Sequence, residues 1–383
     1  MVTLVLALPL LTAGRTFAAE VKPMPKLDTF NYAVGTQTIG AKYQFTKEPR
    51  IVETAKAILD MGSNAIKFSM GKGQAKKAAA DLEINSLMEL ARDDPAHRQI
   101  LDMPFAYYII WAYPFGGASW SKPLSSEDRA KEYKEMYEFA VYLLKNYNGT
   151  GKSFYLGHWE GDWYLHANYD PNADVPESKI QGMIEWLTVR QKAVDDANKR
   201  TEHHDVAVYN YAEANLVKIG IEGKKCMTND VIPKVNLDFV SYSSYDTQHS
   251  PTELKAALDY IESKLQPKTG IPGKRVFIGE YGFPSCNVSP EEQDKRSRQV
   301  MRTGLEWGCP FVLYWEMYNN EVDKDGKQRG FWLINDKNEK QPVYHSHQRL
   351  YKQAKQYVAD FKKHNGRVPT FDEYRKAAVE WLR

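Results

Sequence analysis

The sequence predicts an α/β protein folded as a single (β/α)8 TIM barrel, and three observations carry that expectation. Short β-rich runs alternate with amphipathic helical runs along the chain, as parallel βαβ units require. Eight such strands can be read over roughly 340 residues, and barrels of about 250 residues grow by loop insertion. No GxGxxG or GxxxxGK(S/T) turn follows the first strand, which argues against a doubly wound nucleotide-binding sheet.

The elements follow in order. The apolar run Val2–Ala13 (VTLVLALPLLTA), with the small pair Ala18-Ala19 after it, reads as a secretory leader with a cleavage site. At about twelve residues it is shorter than the ~20 of a membrane span. The expected layout is a signal peptide over 1–18, a barrel over 19–365 and a C-terminal helix over 366–383 packed on the barrel. That layout implies a secreted or periplasmic protein with no integral membrane segment in the mature chain.

Strands are expected at Phe30–Thr36, Ala65–Ser69, Phe105–Tyr113, Ser153–Trp159, Val206–Tyr211, Phe239–Tyr245, Arg275–Glu280 and Phe311–Trp315. Each is a short run rich in β-branched or aromatic residues. Helices are expected at Ile51–Met61, Glu127–Asn146, Lys179–Arg200, Pro251–Leu265, Pro290–Trp307 and Val343–Lys363. Helix starts carry suitable signals, Ser125-Ser126-Glu127-Asp128 and Ser289-Pro290-Glu291-Glu292 among them. Gly71–Asp102 is read as a long loop. The tail from His364 reads as a short helix opened by Thr370.

Composition narrows the function. With 43% apolar and 26% charged residues in 383, the chain has ample core material and is not a disordered protein. Lys+Arg (51) nearly balance Asp+Glu (49), so no basic character points to nucleic acid. Aromatic residues reach 13%, which suits a bulky core and equally a cleft with flat platforms for sugars. Three cysteines, Cys226, Cys286 and Cys309, cannot all pair and have no CxxC spacing, which argues against a disulfide framework or zinc cluster and leaves room for one disulfide in an exported protein. His166, His203, His204 and His249 are scattered without HExxH spacing, so neither metal nor cofactor is expected. The absence of GxSxG excludes a nucleophile-elbow hydrolase.

Barrel enzymes carry their sites at the C-terminal ends of the strands. The fourth strand ends in His158-Trp159-Glu160-Gly161-Asp162-Trp163 and the seventh in Gly279-Glu280-Tyr281-Gly282. The sixth ends in Ser243-Ser244-Tyr245-Asp246, the eighth in Trp315-Glu316-Met317-Tyr318-Asn319, and the third carries Trp111. Paired carboxylates facing one cleft are what glycoside hydrolysis requires: one protonates the leaving oxygen, the other attacks the anomeric carbon or activates water. Glu160 and Glu280 are the candidates. Strand parity is expected to turn His158 into the barrel mouth along with Glu160.

These motifs resemble the large clan A of retaining (β/α)8 glycoside hydrolases. That clan has its acid/base Glu after the fourth strand and its nucleophile Glu after the seventh. Val276-Phe277-Ile278-Gly279-Glu280-Tyr281-Gly282 is similar to its nucleophile strand, and the 120 residues separating Glu160 from Glu280 suit three βα units. Tyr245 resembles the sixth-strand Tyr that contacts the nucleophile, and Trp315 the eighth-strand Trp that floors the sugar site. Gly330–Asn335 and Lys340–Tyr344 look like the clan's closing segment. The clan's usual Asn before the acid/base is Trp159 here, so His158, Asn210 or Asn215 is left to contact the sugar 2-hydroxyl. Asp162 is a rival acid/base, and Glu213 a more distant one.

The expected function is therefore cleavage of O-glycosidic bonds in an oligo- or polysaccharide by retaining double displacement, with Glu280 as nucleophile and Glu160 as acid/base. Expected substrate contacts are His158, Trp159, Trp163, Tyr245, Trp315, Trp111, Asn210 and Glu316. The alternatives are a transglycosylase using the same carboxylates and a non-catalytic carbohydrate-binding barrel.

Overall fold

Eight parallel strands pair in chain order and close the sheet: β1 (Val34–Thr38), β2 (Ala65–Met70), β3 (Tyr107–Ala112), β4 (Lys152–Gly157), β5 (Val206–Ala214), β6 (Phe239–Ser243), β7 (Val276–Tyr281) and β8 (Val312–Tyr314). The last pairing, Val34 beside Val312, completes the ring. This is the predicted (β/α)8 barrel. It is seen in a computed structural model that describes residues 27–75, 82–117 and 120–383. The expected signal peptide lies outside the described residues, as does the first part of the expected barrel segment.

Alternation along each strand separates two apolar layers. Ile109 and Trp111 of β3, Tyr155 of β4, Tyr211 of β5, Phe239 of β6, Phe277 of β7 and Leu313 of β8 form one cluster inside the barrel, and Trp315 joins it just past β8. Their strand neighbours, such as Ile110, Leu156, Ala212, Val240 and Ile278, join a larger cluster between sheet and helices. Each fully buried large apolar side chain contributes roughly 1.5–3 kcal/mol by leaving water.

The outer helices match the sequence reading to within a residue or two at most ends: Arg50–Met61, Ser126–Asn146, Glu177–Arg200, Pro251–Lys264, Pro290–Trp307 and Pro342–Asn365. Gly71–Asp102, expected as a loop, departs from that reading. It contains the helices Lys72–Ala75, Leu87–Asp93 and Pro95–Asp102. Their starts are capped locally: Ser86 Oγ accepts the Glu89 N–H, and Asp94 accepts the His97 N–H with Pro95 in the first turn. The final helix, Phe371–Trp381, opens on a capping box between Thr370 and Glu373. Its Tyr374 hydroxyl donates to Tyr32 O (3.0 Å), just ahead of β1, so it lies at the N-terminal end of the barrel, away from the site.

All three thiols are free; Cys226 and Cys309 are buried and Cys286 is exposed. Among the described residues no helix is long and apolar enough to cross a membrane. Nor is any group of three His, Cys, Asp or Glu among them placed to hold a metal ion.

Candidate active site

The centre of the site is a lysine. In β2 (AIKFSM) the side chains of Ile66, Phe68 and Met70 pack outward, which turns Lys67 and Ser69 into the barrel. Lys67 is fully buried. Its Nζ donates to Glu213 Oε2 at 2.9 Å, Glu280 Oε1 at 3.1 Å and Gly279 O at 3.1 Å, and stands 4.6 Å from the Trp111 ring. Burial alone would lower the lysine's pKa, but the two carboxylates outweigh it and hold the pKa above the usual value.

Simple alternation in β7 would not bring Glu280 inward. Phe277 points into the barrel and Ile278 out, so regular alternation would send Glu280 out as well. The register shifts here: Tyr242 pairs with Ile278 but Ser243 with Glu280, leaving Gly279 as an extra residue. The bulge re-aims the next side chain, and Glu280 enters the mouth. Gly279 must lack a side chain, because a Cβ there would sit 1.7 Å from Ser241 Oγ and 3.1 Å from Glu213 Oε2.

Glu213 is the residue that joins the two halves of the site. β5 runs to Ala214, beyond its expected end at Tyr211, and Glu213 shares the inward face of Tyr209 and Tyr211. Its Oε2 takes the Lys67 ammonium and the Ser241 hydroxyl (2.7 Å), while Oε1 accepts the Glu160 N–H at 3.1 Å. One buried carboxylate thus ties the loop after β4 to the cation beside Glu280.

The expected inward turn of His158 does not occur. Tyr155 and Gly157 face the barrel interior, so Leu156 and His158 face the helices. A Cβ on Gly157 would lie 2.2 Å from the Tyr211 ring. His158 is fully buried against Trp186, with Nδ1 on Trp159 O (2.8 Å) and Nε2 accepting the Glu213 N–H (3.3 Å). Burial pushes its pKa down to about 3. A neutral ring engaged on both nitrogens cannot reach a sugar. Glu160 comes inward only because the chain leaves the strand after Gly157.

Asn210 is also displaced from the site. It faces outward on β5, where its amide donates to Gln191 Oε1 (3.2 Å) on the helix Glu177–Arg200. Asn215 is occupied too, its Oδ1 accepting the Asp162 N–H at 3.2 Å. Of the three residues left to read the 2-hydroxyl, His158 and Asn210 face the helices, and Asn215 has its amide oxygen committed to the loop after β4.

The aromatic candidates do surround it. Trp111 and Trp315 lie side by side, ring centres 6.1 Å apart. The Trp315 indole N–H donates to Glu321 Oε1 at 3.1 Å, and Arg329 holds the other oxygen of Glu321 at 2.6 Å. Trp159 and Trp163 are half-buried and both pack near Tyr169. Trp163 also stands beside Glu160, where its indole N–H acts to lower the carboxyl's pKa. Tyr245 donates to Glu280 Oε2 at 3.4 Å, a long contact. Glu316 is fully buried: Oε2 accepts the Ile39 N–H (2.8 Å), while Oε1 has no partner, nor do Gln37 Oε1 and the Trp111 indole N–H.

Burial raises the pKa of both principal carboxyls, and the neighbours then separate them. Glu160 is pushed well above the usual range by desolvation, then by the charges of Glu280 and Glu213. Desolvation also lifts Glu280, and the Glu213 charge adds to it, but the Lys67 ammonium and the Tyr245 hydroxyl oppose the rise and leave it at about 8. Glu280 therefore loses its proton first, and Glu160 keeps one. Tyr245 stays protonated as a donor because burial drives its own pKa far up.

Asp162 is fully buried and accepts the N–H groups of Asn215 (2.8 Å), Leu216 (3.0 Å) and Met227 (2.7 Å). It pins the loop after β5 to the loop after β4. Asp162→Ala is expected to orphan those three donors and cost about 3 kcal/mol or more of stability. Urea denaturation tests this. A variant of unchanged stability that has lost activity only on poor leaving groups would instead make Asp162 the acid.

No family model matches the chain, and no curated protein matches it in sequence. Solved structures do match. A family 39 glycoside hydrolase from Bacteroides cellulosilyticus WH2 superposes with a TM-score of 0.50 at 15% identity, over 84% of this chain and 63% of that one. This chain thus spans a little under two thirds of that protein's length. A GH5_18 protein from Streptomyces cattleya, in complex with Manb1-4GlcNAc, gives 0.58 at 8% identity, over 84% and 80% of the two chains. A GH5_18 protein from Bifidobacterium longum subsp. infantis gives 0.56 at 10% identity, over 84% and 78%. At these identities the likeness is one of fold: the chain shares the barrel of these glycoside hydrolase structures.

Proposed function

We propose that this protein is a glycoside hydrolase that cleaves O-glycosidic bonds with retention of configuration. The observation that carries the reading is the unequal environment of two carboxyls at the ends of β4 and β7. Glu280 has a cation and a hydroxyl bonded to it, whereas Glu160 feels the same Lys67 charge without an ion pair and is raised by Glu280 and Glu213. Such separation assigns an anion and an acid to one site.

In the first step Glu160 donates its proton to the glycosidic oxygen as the Glu280 carboxylate attacks the anomeric carbon. The C–O bond to the leaving group breaks, the alcohol departs, and a glycosyl ester forms on Glu280. Glu160, now a carboxylate, takes a proton from water. The resulting oxygen nucleophile displaces Glu280, restoring both groups. Lys67 receives the negative charge when it returns to Glu280. Glu213 acts as a positioning residue through Lys67 and the Glu160 backbone. Trp111, Trp159, Trp163 and Trp315 supply apolar faces for sugar rings. The likeness of fold to glycoside hydrolases supports a carbohydrate substrate. A panel of aryl glycosides run beside Glu280→Gln tests the reading; a wild type inactive on every glycoside overturns it.

The charge arrangement predicts the pH profile. Attack needs Glu280 ionised, so kcat/KM rises with pH through about 8. It falls again where Glu160, raised further, loses its proton. Removing the ammonium in Lys67→Met takes away what lowers Glu280. The acid limb is then expected to move to higher pH, by about 1–3 units. A limb that stays in place would dissociate Lys67 from Glu280.

A further inference from the structure

We infer that Glu213 is a positioning residue for the second half of the reaction: it is the counter-ion that keeps the Lys67 ammonium charged and in place while Glu280 is esterified, so that Glu280 can depart as a carboxylate. This inference rests on the retaining glycosidase reading.

Lys67 stands between two carboxylates, of which only Glu280 bonds to the sugar. An ammonium has three protons to donate. All three are used, on Glu213 Oε2, Glu280 Oε1 and Gly279 O. The side chains of Lys67 and Glu213 are wholly removed from solvent, and that of Glu280 is 3% exposed. Water therefore cannot stand in for either anion. Glu213 is itself held at both oxygens, by the Ser241 hydroxyl (2.7 Å) and the Glu160 N–H (3.1 Å). It stays where it is when its neighbour changes.

The charge around Lys67 changes through the cycle. In the free enzyme the ammonium faces two anions. Once a Glu280 oxygen is bonded to the anomeric carbon, that charge is gone and Glu213 is the remaining ion-pair partner. A lysine buried without an anion loses its proton. In the second step the oxygen of water bonds to the anomeric carbon and its proton passes to Glu160. The C–O bond to Glu280 breaks with its electron pair staying on Glu280. A cation must stand beside that pair, and Lys67 supplies it only if it has kept its proton.

The other ionisable groups facing this centre do not replace Glu213. Glu160 becomes an anion in the intermediate, but it has no ion pair with Lys67 and gives up its charge as Glu280 leaves. His158 is neutral, and Arg190 approaches it from the helix side. Burial drives the hydroxyls of Tyr113, Tyr211 and Tyr245 far up, so they carry no charge. Burial does the same to the Glu316 carboxyl and keeps it protonated.

The test uses dinitrophenyl glycosides of whichever sugar the enzyme cleaves, for which the second step limits kcat while kcat/KM reports the first. Glu213→Gln keeps an oxygen for the Glu160 N–H and removes the charge. It is expected to lower kcat by about 10²-fold, the scale of losing one preorganised electrostatic stabiliser. Its kcat/KM should stay within about tenfold of the wild type, because Lys67 and Glu280 are still paired in the free enzyme. A burst of one dinitrophenolate per chain should precede the slow turnover. Its kcat should also fall toward alkaline pH, where the unpaired Lys67 loses its proton. Glu213→Asp, which keeps the charge, should lack that fall. A measurement on the wild type depends on no variant folding: its isolated 2-deoxy-2-fluoroglycosyl ester should reactivate without slowing up to about pH 10, the range of an ordinary lysine. Equal losses in kcat and kcat/KM without a burst, an alkaline fall shared by Glu213→Asp, or slowing of the wild-type ester below that pH each overturn the role of Glu213 and leave the retaining reading intact. A wild type that forms no glycosyl ester overturns both.

Discussion

Glu280→Ala is expected to be inactive on every glycoside, including those with the best leaving groups. The covalent intermediate cannot form without the carboxylate. A nucleophile held in place is worth an effective molarity of 10⁵–10⁸ M, so the rate should fall by roughly 10⁵-fold or more. The defect is chemical rather than structural, because removing the side chain opens a space beside Lys67 on the side of attack. Azide or formate entering that space should restore measurable turnover. The small anion attacks once, so its product has inverted configuration. Measurement of the rescued rate and the anomeric configuration by NMR checks both points. Loss of activity without rescue in a folded variant would point to a supporting role for Glu280.

Glu160→Ala should behave in the opposite way with respect to the leaving group. Proton donation contributes about 10²–10⁴-fold, and only where the departing oxygen needs the proton. Natural oligosaccharides should lose that factor. Dinitrophenyl glycosides, whose leaving group is stable as an anion, should retain their first step. The second step then limits turnover, because no base remains to activate water. Azide should accelerate that step and give an azide adduct of retained configuration. If Asp162→Ala gives this pattern and Glu160→Ala does not, the acid lies two residues further on. The buried, three-fold hydrogen-bonded state of Asp162 predicts otherwise.

The fold is written in the alternation of strands and helices, which the chain displays without ambiguity. Strand number and order followed from it. Side-chain direction at the strand ends did not. Parity counted along β4 put His158 in the mouth, but the sense of alternation is set by which residues the barrel interior accepts: Tyr155 and Gly157, under the Tyr211 ring. In β7 a bulge at Gly279 inverts the count in favour of Glu280, and only the pairing with β6 reveals it. Glu213 is a distant rival only if β5 ends at Tyr211; with Ala214 its true end, the residue lies inside the barrel.

Lys67 carries a signal in the sequence itself. It is the single charge in a strand, AIKFSM, that is buried on both faces, and a buried lysine needs partners. The helices within Gly71–Asp102 were similarly announced by Ser86 three residues before Glu89 and by Asp94-Pro95.

The central claim is that Glu280 attacks the sugar, and trapping the glycosyl ester tests it most directly. A 2-deoxy-2-fluoro dinitrophenyl glycoside slows both steps, and its good leaving group lets the first outrun the second. Intact mass spectrometry should then find one fluoroglycosyl unit per chain, and peptide mapping should locate it on Glu280. A label on Glu160, Glu213 or any other residue would contradict the account. So would rapid turnover with inversion of configuration and no trapped ester.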